Sequence, residues 1–286
     1  MAFLFYFHYM NSIIVNGKVM PADEPVLMAS NRGYRYGDGL FETMRVARGE
    51  IILASLHSER FFSGLTTLRY QIPKLLTFEK LQKEVLQLCQ KNNCVESARV
   101  RLSVFRGNGG LYDDLNELQY IIECWPMNES MNTINENGLW IDIYPDARKT
   151  VDKCSNLKSA NYLPYVMAAL YAKENKLNDC LLLNSYERIC DATIANIFWV
   201  KDGIIFTPPL SEGCVAGVMR KYLLQRIPDT GYEIKEKELV IDELENADEI
   251  FLTNATYGIR WVKQFRDKFY KTEIAPIIYK KLIAWP

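Results

Sequence analysis

The stretch DATIANIFWVKDGIIFTPP, Asp191–Pro209, turns on the pair Asp202-Gly203. On either side lies an apolar run rich in β-branched and aromatic residues, TIANIFWV and IIFTPP. Asp-Gly supplies the two positive φ values that a type I′ turn needs, so the spacing predicts a β-hairpin. Just upstream, DCLLLNS (Asp179–Ser185) is a third apolar run of strand length, and EIFLTNA (Glu249–Ala255) is a fourth. Between them a helix is expected to start near Ala216, and a terminal helix over 275–284. Strand LWIDIY (Leu139–Tyr144), a loop carrying Lys158 and a helix over 163–176 precede the hairpin.

The first part of the chain has its own pattern. SIIV, Asn16-Gly17 and KVM predict a second tight hairpin over 12–20. NRGYRYGDGL follows, read as a loop because it holds three glycines. FETMRV and IILAS flank Arg48-Gly49-Glu50 as paired strands. Phe61, Phe62, Leu65 and Leu68 mark one face of a helix over 57–69, and Leu81, Val85, Leu86 and Cys89 one over 78–92. ARVRLSVF and LQYIIECW read as two more strands. The polar segment MNESMNTINENG separates these halves. The expected division is a smaller N-terminal domain over 1–126, a linker over 127–138 and a larger domain over 139–286. Strands and helices interleave without a strict βαβ rhythm, so the fold class expected is α+β.

Composition narrows the function. The chain has 286 residues, 49% hydrophobic and 24% charged, with a formal net charge of −1. That balance is of a globular protein, with no global pull toward nucleic acid or an anionic membrane. Seven cysteines (Cys89, Cys94, Cys124, Cys154, Cys180, Cys190 and Cys214) are irregularly spaced and include no CxxC pair. They read as reduced thiols of a cytoplasmic protein, not as a disulfide framework or a zinc site. Two histidines, His8 and His57, speak against a catalytic metal centre and against a Ser/His/Asp triad. The apolar start MAFLFYFHYM lacks a basic leader and is too short to span a bilayer, and Met10 is a second candidate start. RGNGG (Arg106–Gly110) lacks the lysine-threonine pair of a phosphate loop.

Six blocks in order carry a resemblance: NRGYRYGDGLFET, LHSERFFSGL, LKSANYL, DATIANIFWVKDGIIFTP, VAGVMRKYLL and ADEIFLTNA. Together they resemble the class IV aminotransferases, the fold-type IV pyridoxal 5′-phosphate enzymes, from about residue 12 to 262. That family includes branched-chain and D-amino acid aminotransferases and aminodeoxychorismate lyase. The resemblance implies a two-domain fold of the D-amino acid aminotransferase type, a homodimer and a small-molecule substrate. It implies that Lys158 binds the cofactor as a Schiff base and moves the α-proton. Arg60, in His57-Ser-Glu-Arg60, matches the phosphate-binding arginine. Val218 and Met219 after Gly217, and Ala255 and Thr256, match the backbone positions that complete the phosphate site. Asp191 stands where the family usually has the glutamate that holds a proton on the pyridine nitrogen. It is one methylene shorter. Tyr162 matches a position where some members place a tyrosine against the cofactor's phenolic oxygen, and a core-facing tyrosine is the equal alternative.

For substrate the resemblance points to Tyr34 and Arg35 in the glycine-rich loop. Arg99 and Arg101, two apart on one strand, share a face and with Arg106 form a candidate carboxylate site. Solvent exposure at a sheet edge is the competing account. The arginine-histidine pair of D-amino acid enzymes is missing from Gly107–Tyr112, and Arg99-Val-Arg101 replaces the Tyr-x-Arg of branched-chain enzymes. FRGNGG and NATYGIRWV look more like aminodeoxychorismate lyase, which releases pyruvate and 4-aminobenzoate. Amino transfer between an amino acid and a 2-oxo acid, that elimination, and a non-catalytic protein that kept the fold therefore stay open, the last supported only by Asp191.

Overall fold

The computed structural model describes residues 11–114, 116–128 and 133–284. The reading of residues 1–9 and four of the twelve residues expected as linker lie outside these. The chain forms two compact units, one of 1–129 with 158–161 and one of 130–157 with 162–286.

The first unit is built on an antiparallel sheet of six strands in the order β2-β1-β6-β5-β3-β4. These are β1 (Ser12–Val15), β2 (Lys18–Pro21), β3 (Gly39–Ala47), β4 (Glu50–Ile51), β5 (Ser97–Arg106) and β6 (Leu118–Pro126). Asn16 and Gly17 take φ of 50° and 83°, and Arg48 and Gly49 take 50° and 76°, which closes both hairpins. β5 alternates cleanly: Ala98, Val100, Leu102 and Val104 are buried. Arg99, Arg101 and Ser103 occupy the opposite face. Helices α2 (Ala54–Thr67) and α3 (Phe78–Lys91) bury Phe61, Leu65, Leu81, Val85 and Leu88.

NRGYRYGDGL is not all loop. Arg32–Tyr36 forms a short helix, α1. The Asn31 side chain accepts from the Tyr34 amide, and Gly37, at φ 65°, ends the helix in the left-handed region. Three glycines in ten residues hid a capped turn of helix.

The second unit carries a mixed sheet of nine strands, β12-β11-β10-β13-β14-β7-β8-β9 with β15 on β14. Its strands are β7 (Leu139–Lys149), β8 (Asp179–Asn184), β9 (Ile189–Ala192), β10 (Asn196–Lys201), β11 (Ile204–Thr207), β12 (Ile234–Glu236), β13 (Glu249–Asn254), β14 (Gly258–Phe265) and β15 (Lys268–Phe269). Helix α4 (Leu163–Glu174) connects β7 to its parallel neighbour β8. The hairpin at Asp202-Gly203 forms as the sequence predicts, with Trp199 opposite Phe206 and their rings stacked at 5.4 Å. Trp199, Leu252, Val262 and Phe265 belong to one buried cluster. Helix α5 (Val218–Arg226) follows, then α6 (Ile241–Glu245) and α7 (Ile274–Leu282). Among the described residues, no helix is long and apolar enough to cross a membrane.

One buried ionic cluster ties α2 to β3. Glu42, 2% exposed, accepts from Arg60 through Nε (2.8 Å) and Nη2 (2.5 Å), and its Oε2 lies 2.7 Å from Nδ1 of His57. Burial alone would raise the Glu42 carboxyl, but Arg60 and His57 hold it at about 2 against an ordinary 4.5. Because the folded value is depressed, the stabilisation is complete above about pH 4.5 and is lost as pH falls toward 2. The shift corresponds to on the order of 3 kcal/mol. Urea unfolding of wild type followed from pH 7 to pH 2.5 should show this acid loss. In Glu42→Gln stability at pH 7 should drop by roughly 2–4 kcal/mol and the slope below pH 4.5 should flatten. A variant that keeps the wild-type slope would assign the acid limb to other groups.

Candidate active site

Lys158–Asn161 belong to the first unit although their chain neighbours belong to the second. Backbone pairing explains it. Phe41 N donates to Lys158 O, Ala160 N donates to Gly39 O, both at 2.9 Å, and Ser159 bridges Leu40. The segment thus pairs with the start of β3. Gly39 permits the close approach there, since a Cβ would meet Val104 O at 2.4 Å. Backbone bonds on both sides of Ser159 therefore set where Lys158 points. Its Nζ lies 4.6 Å from the Phe41 ring centroid, and the Arg101 guanidinium lies 3.8 Å from the same ring.

The cross-strand register gathers charge on this face. Arg101 is flanked by Thr43 and Glu123, and Arg99 by Arg45 and Trp125. Arg101 Nε donates to Ser103 Oγ at 3.0 Å, and Arg99 lies 5.2 Å over Trp125. Arg45, 4% exposed, was not singled out in the sequence. It stands directly opposite Arg99, and only the register reveals that. Like charges set opposite one another are unfavourable without an anion to share. Burial pushes the Glu123 carboxyl up, while Arg101 and Arg99 pull it down.

Other expected substrate residues are placed differently. Arg106 is engaged elsewhere: it bonds Asp38, Leu68 O and Asn116, the last at 2.9 Å. Arg32 bonds Asp38 from the other side, so Arg106 belongs to the scaffold holding the 107–110 loop. Tyr34 is 75% exposed, and Arg35 is exposed with Nε donating to Ala29 O. Arg60 has one edge of its guanidinium on Glu42. His57 is fully buried, and burial holds its pKa below the ordinary value, with the Arg60 and Lys158 charges adding to the effect. A neutral His57 donates Nδ1–H to Glu42 and leaves Nε2 with no hydrogen-bond partner among the described residues.

The second unit gathers its polar groups on Asp191, 2% exposed at the end of β9. Its Oδ2 accepts from Lys149 Nζ, Tyr165 OH and Val215 N, each at 2.9 Å, and Oδ1 accepts from Asn196 Nδ2 at 3.1 Å. Burial would lower the Lys149 pKa, but the adjacent Asp191 keeps it above the ordinary value. Burial and Asp191 hold Tyr165 protonated as a donor. Lys149, Tyr165 and Asn196 were not picked out from the sequence. A buried lysine looks like any other until β7 is paired with β8. Tyr162, half-buried, stacks on Tyr165 at 4.4 Å, donates its hydroxyl to Thr193 O and packs against the buried cluster around Tyr165.

Asn196 links this carboxylate to α5. Its Nδ2 also donates to Val215 O, and its Oδ1 lies where a Cβ on Gly217 would come, at 1.9 Å. Gly217 caps α5 with no side-chain hydrogen bond. The amides of Val218 and Met219 thus open an uncapped helix N-terminus, the arrangement that suits an anion. Of the two turn positions, the Thr256 amide is held by Asn254 Oδ1 at 3.0 Å, which leaves its hydroxyl as the group to offer. An uncapped helix start beside a buried carboxylate fits a cofactor with a phosphate at one end and a protonatable ring nitrogen at the other.

A model of the family described as amino-transferase class IV matches residues 39–265. A Methanocaldococcus jannaschii protein assigned as a branched-chain-amino-acid aminotransferase is 30% identical over 274 residues, 94% of this chain and 93% of that one. Aminodeoxychorismate lyase of Bacillus subtilis is 30% identical over 290 residues, 95% of this chain and 94% of its own. In fold, the chain matches the Thermoproteus uzoniensis branched-chain aminotransferase solved with norvaline. The TM-score is 0.85 at 22% identity, covering 95% of this chain and 93% of that one. With the family match spanning most of the chain and both relatives aligned nearly end to end, this protein is an enzyme of the class IV aminotransferase family.

Proposed function

We propose that this enzyme binds pyridoxal 5′-phosphate through Lys158 and moves an amino group between an amino acid and a 2-oxo acid. The observation that carries the reading is Lys158 itself. Backbone pairing with β3 fixes it, and its ammonium lies on the Phe41 ring beside Arg101. The cofactor, when bound, supplies an electron sink that makes an α-C–H bond breakable.

The chain's own groups divide the remaining work. The Lys158 amine carries the proton to and from the substrate carbon, as a positioned acid–base group. Asp191, whose Oδ1 carries the lighter load of donors, would hold a proton at the ring nitrogen. The amides of Val218 and Met219 and the turn at Ala255 and Thr256 are assigned to the phosphate by the family resemblance, and so is Arg60. Arg99 and Arg101, with Arg45, bind the substrate carboxylate in bidentate fashion. Tyr34 and Arg35 are assigned to the substrate side of a homodimer.

A second reading is elimination of pyruvate from aminodeoxychorismate. It is favoured by the Bacillus subtilis relative and by an arginine-bearing face suited to two carboxylates. Spectra of the cofactor-loaded enzyme with single amino acids, and no oxo acid, separate the two. Conversion to the pyridoxamine form by one donor supports amino transfer. A bound cofactor untouched by any donor, with pyruvate released from aminodeoxychorismate, selects the lyase.

Two variants probe the cradle. Borohydride reduction and peptide mapping should place the label on Lys158, and Lys158→Ala should lower turnover by at least about 10²–10⁴-fold. A label on any other peptide defeats the proposal. Gly217→Ala should push Asn196 off Asp191 and weaken cofactor binding by roughly ten- to a hundred-fold, read as a dissociation constant by fluorescence. An unchanged constant removes the α5 start from the site.

A further inference from the structure

Three cysteines scattered through the first unit's sequence meet in its core. Cys89 lies on α3, Cys94 in the turn that follows and Cys124 on β6. Their Sγ atoms all lie within 4.8 Å of one another, and those of Cys94 and Cys124 are 3.6 Å apart. The three are 0%, 4% and 1% exposed. The backbone holds the arrangement, with Cys94 N donating to Cys89 O at 2.9 Å. Asn92 holds it too: its Nδ2 donates to Cys124 Sγ at 3.3 Å and to Ser12 O at 2.8 Å, and its Oδ1 accepts from Ser12 N. Cys124 pairs with Val100, on the sheet face away from Arg99 and Arg101. The group therefore stands apart from the arginine-bearing face.

Bonds of about 2.3 Å from one central atom to three sulfurs place those sulfurs roughly 3.5–4 Å apart. The Cys94–Cys124 side, at 3.6 Å, is of that size, and the other two sides lie within 4.8 Å. Sulfur alone selects a soft centre. Charge then chooses among soft centres. Three thiolates on zinc carry a net negative charge and call for a fourth ligand, which no water supplies at this burial. Three on monovalent copper carry two negative charges. Each unpaired charge in a dry core costs several kcal/mol. A trivalent metalloid on three thiolates is neutral and complete at three ligands.

We propose that Cys89, Cys94 and Cys124 form a binding site for a trivalent thiophilic metalloid, arsenic or antimony. Binding is a condensation. Three S–H bonds and three As–O bonds of arsenous acid break, three As–S bonds form, and three waters leave with no change in oxidation state. The bound centre ties α3 to β6 and stabilises the first unit. Entry requires local opening of the core, so uptake is slow.

The test uses the full chain with sodium arsenite and a non-thiol reductant, followed by gel filtration and arsenic analysis. One arsenic per chain is expected, retained also by Cys154→Ser, whose thiol is exposed. Cys94→Ala and Cys124→Ala each leave two of the three thiols and should bind at least about a hundred-fold more weakly. Arsenic-edge X-ray absorption on wild type needs no variant to fold: three sulfur neighbours and no oxygen support the site. No retained arsenic, a mixed sulfur–oxygen shell, or equal retention by Cys124→Ala overturns it.

Discussion

The second unit is arranged around one buried carboxylate. Asp191 accepts four hydrogen bonds, from β7 through Lys149, α4 through Tyr165, β10 through Asn196 and the backbone at Val215. An unpaired carboxylate at that depth would shift toward its neutral form or unfold the site. Each donor is therefore held in place by the same charge that it satisfies. The result fixes Asn196, which in turn leaves room at position 217 only for glycine, and so leaves the start of α5 uncapped. A chain of contacts thus runs from a strand-borne charge to an anion-ready helix terminus.

The first unit repeats the device with Glu42. A buried carboxylate holds the arginine and the histidine of α2 against β3. Here the carboxylate orients a guanidinium that the sequence points toward phosphate. A guanidinium held by a buried carboxylate is fixed in direction, and loses less entropy on any further binding than a mobile one would. Both carboxylates serve as fixed reference points for groups of opposite charge.

What the sequence reveals and what it hides follow the range of the interactions. Asn16-Gly17 and Asp202-Gly203 declare themselves because positive φ is a property of two adjacent residues. Helices α2 and α3 show through their periodicity. Lys158, Arg60 and Asp191 stand out by resemblance, block by block. Lys149, Glu42 and Arg45 stay hidden, since each matters only through a partner that pairing or packing brings close. Arg106 misleads for the same reason: sequence places it near other arginines, while Asp38 and Asn116 claim it. The cysteines are the extreme case, with spacings of five and thirty residues carrying no motif and three different elements supplying one triangle.

The shorter side chain at 191 bears on chemistry as well as on packing. At this position the aspartate carboxylate pairs with Lys149 at 2.9 Å. A carboxylate neutralised by an ammonium attracts a proton on a neighbouring ring nitrogen less strongly than a lone one does. If Asp191 holds the ring-nitrogen proton as proposed, the electron sink would be correspondingly weaker, and more of the catalytic burden would fall on the groups that bind the substrate. In the proposed reading the first unit offers such groups in Arg45, Arg99 and Arg101, with Arg45 and Arg99 opposite one another in the register. Under the proposed reading, the choice between amino transfer and elimination would rest on that arginine face, which would hold one carboxylate for the first reaction and two for the second.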